Sequence, residues 1–140
     1  MKRQSWHWYK KESPSGRILL GTVHGDVHDL GKNIFGMLLT SHGFDVVDLG
    51  VDIEPEVFVE KAIEVQPDII GLSGLITASF ESMKETVNAI NKETAKQGQK
   101  FPILIGGGFI TEDVSNYVGA DYWMTDAMAG VRLCEDLLKK

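Results

Sequence analysis

Asp26-x-His28-x-x-Gly31 sets a carboxylate and an imidazole two residues apart, with a glycine at the start of a helix-like run. A neutral imidazole binds a metal through one nitrogen. Its other nitrogen can donate to a carboxylate, which fixes the tautomer and tunes basicity. A single exposed imidazole backed in this way is suited to be the sole protein ligand of a metal already held by a cofactor. A hydroxyl further along, Ser79 or Thr77, could accept or relay the proton. Two other readings stay open from the residues alone. His24, Asp26, His28 and Asp29 together offer zinc- or iron-type ligands, although Gly25 argues against the helical spacing that would make the two histidines converge. Alternatively, Asp26 and His28 only cap the helix that follows.

These residues need a scaffold, and the pattern around them supplies one. Strand-like runs span 17–23, 45–49, 68–73, 101–105 and 122–124. Helix-like runs follow each, at 32–41, 55–65, 80–97, 112–118 and 127–139. Gly43 and Gly98 stand where helices would end. Pro55 suits a first helical turn, with Asp52 as a plausible cap, and Pro67 blocks helix continuation before the third strand. Ile69-Ile70-Gly71-Leu72 and Ile103-Leu104-Ile105 are nearly all apolar, as parallel strands buried on both faces require. Five βα units with right-handed crossovers predict an α/β fold: a doubly wound, five-stranded parallel sheet, flavodoxin- or Rossmann-like, in order 2-1-3-4-5. The loops after strands 1, 3, 4 and 5 then crowd one sheet edge. They carry Asp26 and His28, Ser73 to Ser79, Gly106 to Gly108, and Thr125-Asp126-Ala127. That convergence points to one large site.

Composition narrows the classes. The 140 residues carry a net charge of −6, with 43% hydrophobic and 24% charged residues, as in an ordinary globular domain. The acidic balance disfavours nucleic acid or anionic membrane as a primary partner. No apolar run approaches the ~20 residues of a membrane span. The single cysteine, Cys134, excludes an internal disulfide and reads as packing within an amphipathic last helix; it agrees with a reducing cytoplasm. Residues 1–16 read as a tail or linker ahead of a domain over 17–140, although Trp6, Trp8 and Tyr9 are unusual there. GDVHDLG is not GxGxxG, and neither a P-loop nor a G-x-S-x-G elbow occurs, so nucleotide-phosphate and serine-nucleophile chemistry lack support.

The ordered set Asp26-x-His28-x-x-Gly31, then 41 residues, then Ser73-x-Leu75, then Gly106-Gly107 resembles the signature of cobalamin (vitamin B12)-binding domains. The stretches 25–33 and 71–77 look most like the corrinoid proteins of methyltransferase systems and the cobalamin domain of methionine synthase. The resemblance implies base-off, His-on binding of cobalamin or a related corrinoid. His28 would be the lower axial ligand of cobalt. Asp26 would hydrogen-bond His28, and Ser79 would extend that relay. Gly25, Val27 and Asp29 would meet the corrin underside. The displaced nucleotide tail would enter a slot beside the sheet, with Gly31 letting the helix pack close, Ser73, Leu75 and Thr77 along one wall, Gly106 and Gly107 at another, and Ala127 near its end.

The implied function is a methyl carrier. Reduced cobalt takes a methyl group from one partner methyltransferase subunit or domain and gives it to another. Such relatives usually place a helical cap upstream, which sixteen residues cannot form, so a preceding domain or a partner would supply it, or the aromatic tail would do so in part. The rival readings are the small subunit of an adenosylcobalamin-dependent mutase and a cobalamin sensor.

Overall fold

The structure, a computed structural model, describes residues 15–139. The expectation for the aromatic residues Trp6, Trp8 and Tyr9 lies outside the described residues.

Among the described residues five strands alternate with five helices: β1 (Arg17–Thr22), α1 (Leu30–Ser41), β2 (Asp45–Asp48), α2 (Pro55–Val65), β3 (Ile69–Ser73), α3 (Ser79–Ala95), β4 (Ile103–Gly106), α4 (Glu112–Val118), β5 (Tyr122–Met124) and α5 (Ala127–Leu137). All neighbouring strands are parallel, in the order β2-β1-β3-β4-β5. The expected topology is therefore the observed one. Boundaries differ by one or two residues at most elements. The switch point falls between β1 and β3, whose carboxyl ends diverge into the loops that the sequence singled out.

Successive strand residues point to opposite faces, and each face has its own core. On one side Leu19, Ile70, Leu72, Ile103 and Ile105 pack against Phe58 and Ala62 of α2, Met83, Val87 and Ile90 of α3, and Val118 of α4. On the other side Ile18, Leu20, Ile69 and Leu104 pack against Phe35 and Leu39 of α1 and Val131 and Cys134 of α5. Burial pushes the Cys134 thiol up to about 12, with the neighbouring Glu135 charge adding to it.

The amino edge of the sheet is closed by side chains. Arg17 Nε donates to Asp45 Oδ2 at 2.8 Å, and its backbone N–H donates to Asp68 Oδ2 at 2.8 Å. Asp121 takes the Ile103 N–H and pairs with Lys100. Gly43 adopts φ +93 just after α1, as a helix C-terminus favours. One expectation is corrected. Asp52 does not cap α2: Glu54 holds the N-cap position, without a side-chain cap bond. Asp52 is instead left-handed, with φ +56, and its carboxylate serves the β1 loop.

Candidate functional site

The site is built around one buried carboxylate. Asp26 is 1% exposed, and both of its oxygens are used. Oδ1 accepts from the His28 backbone N–H at 2.9 Å and lies 2.8 Å from His28 Nδ1. Oδ2 accepts from the Ser79 hydroxyl at 2.6 Å, the Leu75 N–H at 2.7 Å and the Ile76 N–H at 3.4 Å. The β1 loop is thereby tied to the turn between β3 and α3. Burial pushes the Asp26 carboxyl upward. The Ser79 hydroxyl, the Leu75 and His28 backbone donors and the His28 ring outweigh it and hold the group well below the usual carboxylate range.

An ionised Asp26 facing Nδ1 makes that nitrogen the N–H donor, which leaves Nε2 with its lone pair. The His28 side chain is half exposed. A basic imidazole nitrogen is thus presented at the sheet edge from a fixed base. Thr22 Oγ1 donates to the His28 carbonyl at 3.2 Å, a further hold on the loop. Capping does not account for this arrangement. Asp29 takes the N-cap position of α1 and its side chain makes no cap bond.

His24 belongs elsewhere. Its Nδ1 sits 3.0 Å from Asp52 Oδ1 and 2.8 Å from Glu54 Oε1, so His24 and His28 do not converge on one ion. Among the described residues no cluster of three or more His, Cys, Asp and Glu side chains is placed to hold a metal unaided. Asp52 Oδ1 also accepts the Gly25 N–H at 2.8 Å, and the Asp52 N–H donates to the Asp26 carbonyl at 3.0 Å. Gly25 has φ +86, a conformation open to glycine at little cost.

At the same sheet edge a slot of about 180 Å³ opens between the sheet and α1, lined by Leu20, Gly31, Phe35, Ser73, Gly106 and Ala127 among others. The parallel register explains it. Thr22, Ser73, Gly106 and Met124 are aligned across the sheet, and Gly71 precedes Ser73 on the same face. Small residues thus run down the centre of this face where the other carries Ile and Leu. A Cβ on Gly31 would meet no atom within 4 Å, and the same holds for Gly108, so side chains there would extend into open space. Gly107 has a different reason. Its Cβ would lie 2.1 Å from the Gly74 carbonyl oxygen, so a close backbone crossing fixes its identity.

The expected residues fall into three groups. Asp26, His28 and Ser79 form the network, joined through its backbone by Leu75. Gly31, Ser73, Gly106, Gly107 and Ala127 line the slot. Val27, Asp29 and Thr77 are exposed at the edge around them, with Gly25 at the turn. Neither Leu75 nor Thr77 is a wall of the slot, because the turn that carries them folds back over Asp26. The sequence reading missed Lys32, a slot residue only 5% exposed. Its Nζ lies 2.7 Å from each oxygen of Asp48. The spacing Lys32–Phe35–Leu39 was the available signal, since it places the lysine on the inward helical face. Phe109, at 71% exposure, and Leu30, at 73%, were also missed. With Val27, Leu75 and Ile76 they form an apolar rim of exposed residues along this edge of the sheet.

A half-exposed imidazole, a slot walled by glycine and aliphatic residues, and an apolar rim suit a large planar group with a descending tail. The B12-binding domain profile matches residues 16–132. The chain belongs to the B12-binding domain family. Its cofactor is cobalamin or a related corrinoid. A corrinoid protein of Desulfitobacterium hafniense is 42% identical over 89% of the chain and 57% of that protein. Methionine synthase of Mycobacterium tuberculosis is 36% identical over 91% of the chain and 11% of that protein. The solved methanol:cobalamin methyltransferase complex of Methanosarcina barkeri superposes with a TM-score of 0.80 at 26% identity, covering 91% of the chain and 48% of its counterpart. The chain spans little more than half the length of the corrinoid protein it matches. No helix among the described residues is long and apolar enough to cross a membrane.

Proposed function

We propose that this domain carries a corrinoid for methyl transfer, base-off and His-on, with His28 Nε2 as the lower axial ligand. When bound, the cofactor supplies cobalt, which takes and gives up the methyl group. The observation that carries the reading is the buried Asp26 carboxylate, which holds His28 Nδ1 at 2.8 Å while taking the Ser79 hydroxyl at 2.6 Å.

The chain's residues divide the work. Asp26 fixes the tautomer that leaves Nε2 free to ligate, and its negative charge raises the donor strength of the ring. Ligation and protonation compete for the same lone pair on Nε2, so acid favours release of the ligand. Asp26 is held low, so it stays ionised and keeps accepting from Nδ1. Ser79, from the opposite loop, steadies the charge on Asp26 and offers the route by which a proton reaches or leaves it. The slot takes the displaced nucleotide tail, with Gly31 and Gly106 leaving room and Leu20 and Phe35 excluding water. Val27, Leu30 and Phe109, exposed apolar side chains at this edge, would pack against the cofactor. Methyltransferase subunits or domains act as donor and acceptor partners, and a helical cap from a partner or neighbouring domain covers the upper face. Relatives that carry methyltransferase or methionine synthase in their names favour methyl transfer over mutase or sensor roles.

The test is a visible spectrum of the chain mixed with methylcobalamin in the dark, for wild type and His28→Ala. Histidine ligation predicts a His-on spectrum that the variant lacks. Unchanged spectra in a folded variant that still binds would remove His28 from the cobalt. A companion spectrum at pH 7 should show weaker histidine ligation in Asp26→Asn than in wild type, because the carboxylate no longer fixes the Nδ1–H tautomer.

A further inference from the structure

Met124 lines the slot beside Gly106, and this wall differs from the others. Met124 lies at the end of β5 and lines the slot. Its side chain fills room that two glycines leave. A Cβ on Gly130 would lie 1.9 Å from Met124 Sδ, and a Cβ on Gly106 would lie 2.9 Å from Met124 Cε. The thioether therefore rests between the β4 backbone and the α5 backbone, both held by ladder or helix hydrogen bonds. Leu20, Phe35 and Leu104, the apolar walls opposite, are buried in the core beneath α1. Methionine is unbranched and soft, and changes shape at low cost. The slot holds about 180 Å³, below the ~300–1,000 Å³ of pockets that enclose ligands of drug size. A nucleotide with a fused two-ring base is large against this volume, and Met124 is the lining side chain that shifts at least cost.

From these contacts we infer that Met124 is the specificity-determining wall of the slot: its position against Gly106 and Gly130 sets which lower bases the domain accepts. This deepens the reading under Proposed function and rests on it. The ligand classes to be told apart are corrinoids whose tails end in a benzimidazole, in a purine, or in no base. The glycine and core-packed walls treat all tails alike, whereas the Met124 thioether can give by changing rotamer. Gly130 is part of the device, because an added methyl there would force the thioether forward into the slot.

The experiment titrates the 140-residue chain with methylcobalamin, its adenine-base counterpart and methylcobinamide, which has no nucleotide. The visible spectrum and folding by circular dichroism are followed for wild type, Met124→Ala, Gly130→Ala and the double variant. A pocket contact of this size is worth about tenfold in affinity. Gly130→Ala should weaken both base-bearing corrinoids by about that factor relative to methylcobinamide, and adding Met124→Ala should restore them. Met124→Ala alone should change the preference between the benzimidazole and adenine forms. Parallel loss for all three corrinoids, or unchanged ratios in Met124→Ala and Gly130→Ala, would overturn the inference and leave corrinoid binding standing. Failure of the wild-type chain to bind any of the three would overturn the proposed function, and this inference with it. If Gly130→Ala does not fold, the ratios for Met124→Ala decide.

Discussion

Both faces of the sheet are made from the same five strands, yet they are filled in opposite ways. Under α2, α3 and α4 the strands present Leu19, Ile70, Leu72, Ile103 and Ile105, and Phe58 and Met83 fill the space with no exposure. Under α1 and α5 the strands begin alike, with Ile18, Leu20, Ile69 and Leu104. Toward the carboxyl edge they turn to Gly71, Ser73 and Gly106, and the packing gives way to a slot. One face carries the stability and the other holds open space at a cost in burial. A βα sandwich tolerates this because the two cores share only the strands, so a gap in one leaves the other whole.

The largest expected effect tests the solid face. Phe58 is fully buried, and its ring lies against Gly21, whose Cβ would be 2.6 Å from Phe58 Cζ. Phe58→Ala should cost about 3–5 kcal/mol in urea unfolding, the range for aromatic deletion in a packed core. A loss under about 1 kcal/mol would mean that this face is as loosely filled as the other.

The next effect concerns the network that joins the faces at their edge. Asp26→Asn leaves a donor facing donors and should cost about 1–3 kcal/mol at pH 7. Its pH dependence has a defined sign. The folded-state value of Asp26 lies below its ordinary 3.8, so its stabilising contribution is complete above that value. It is lost as the pH falls from there through the depressed one. The gap between wild type and Asp26→Asn should therefore be constant from pH 7 to pH 5 and should narrow at pH 3. A gap that already shrinks between pH 7 and pH 5 would mean that Asp26 is not held low.

A smaller effect separates stability from function on the open face. Gly31 sits in the first turn of α1, and a methyl group added there would meet no atom within 4 Å. Gly31→Ala should leave folding unchanged or raise stability by about 0.5 kcal/mol, while weakening methylcobalamin uptake. Thermal unfolding and the visible titration together check both halves; a folded variant with wild-type affinity would show that the slot mouth has room to spare. Smallest of all is the response of Cys134. Fully buried and with its thiol pushed up to about 12, it should not react with Ellman's reagent at pH 8 until the chain is unfolded.

The sheet order and the pairing of Asp26 with His28 were legible in the sequence for physical reasons, whereas the choice of Ser79 over Thr77 came from the family resemblance. Apolar runs such as Ile69 to Leu72 need two covered faces, and Asp26 and His28 fall in the loop after the first strand. Other features were not legible because they depend on register. Only the alignment of Ser73 with Gly106, and of Gly106 with Met124, shows which small residues make a slot and which methionine closes it. Asp52 was misread for a related reason. Its spacing to Pro55 fits a helix cap, but the bridge between Val23 and Ile53 brings it under Gly25 and turns its carboxylate to the loop. Gly107 resembled a residue that makes room, yet the Gly74 carbonyl that requires it lies on another strand's loop.

One oxygen of Asp26 accepts from both the backbone and the ring of the same residue, His28. That pincer makes the imidazole a post, not a hinge. Turning the ring would strip a bond from a buried carboxylate, while the loop beneath it is pinned again by Asp52 and by Thr22. A group bound to its free nitrogen would therefore meet a fixed donor, and any change in that distance would have to come from the group. In mechanical terms the loop is an anvil of fixed height.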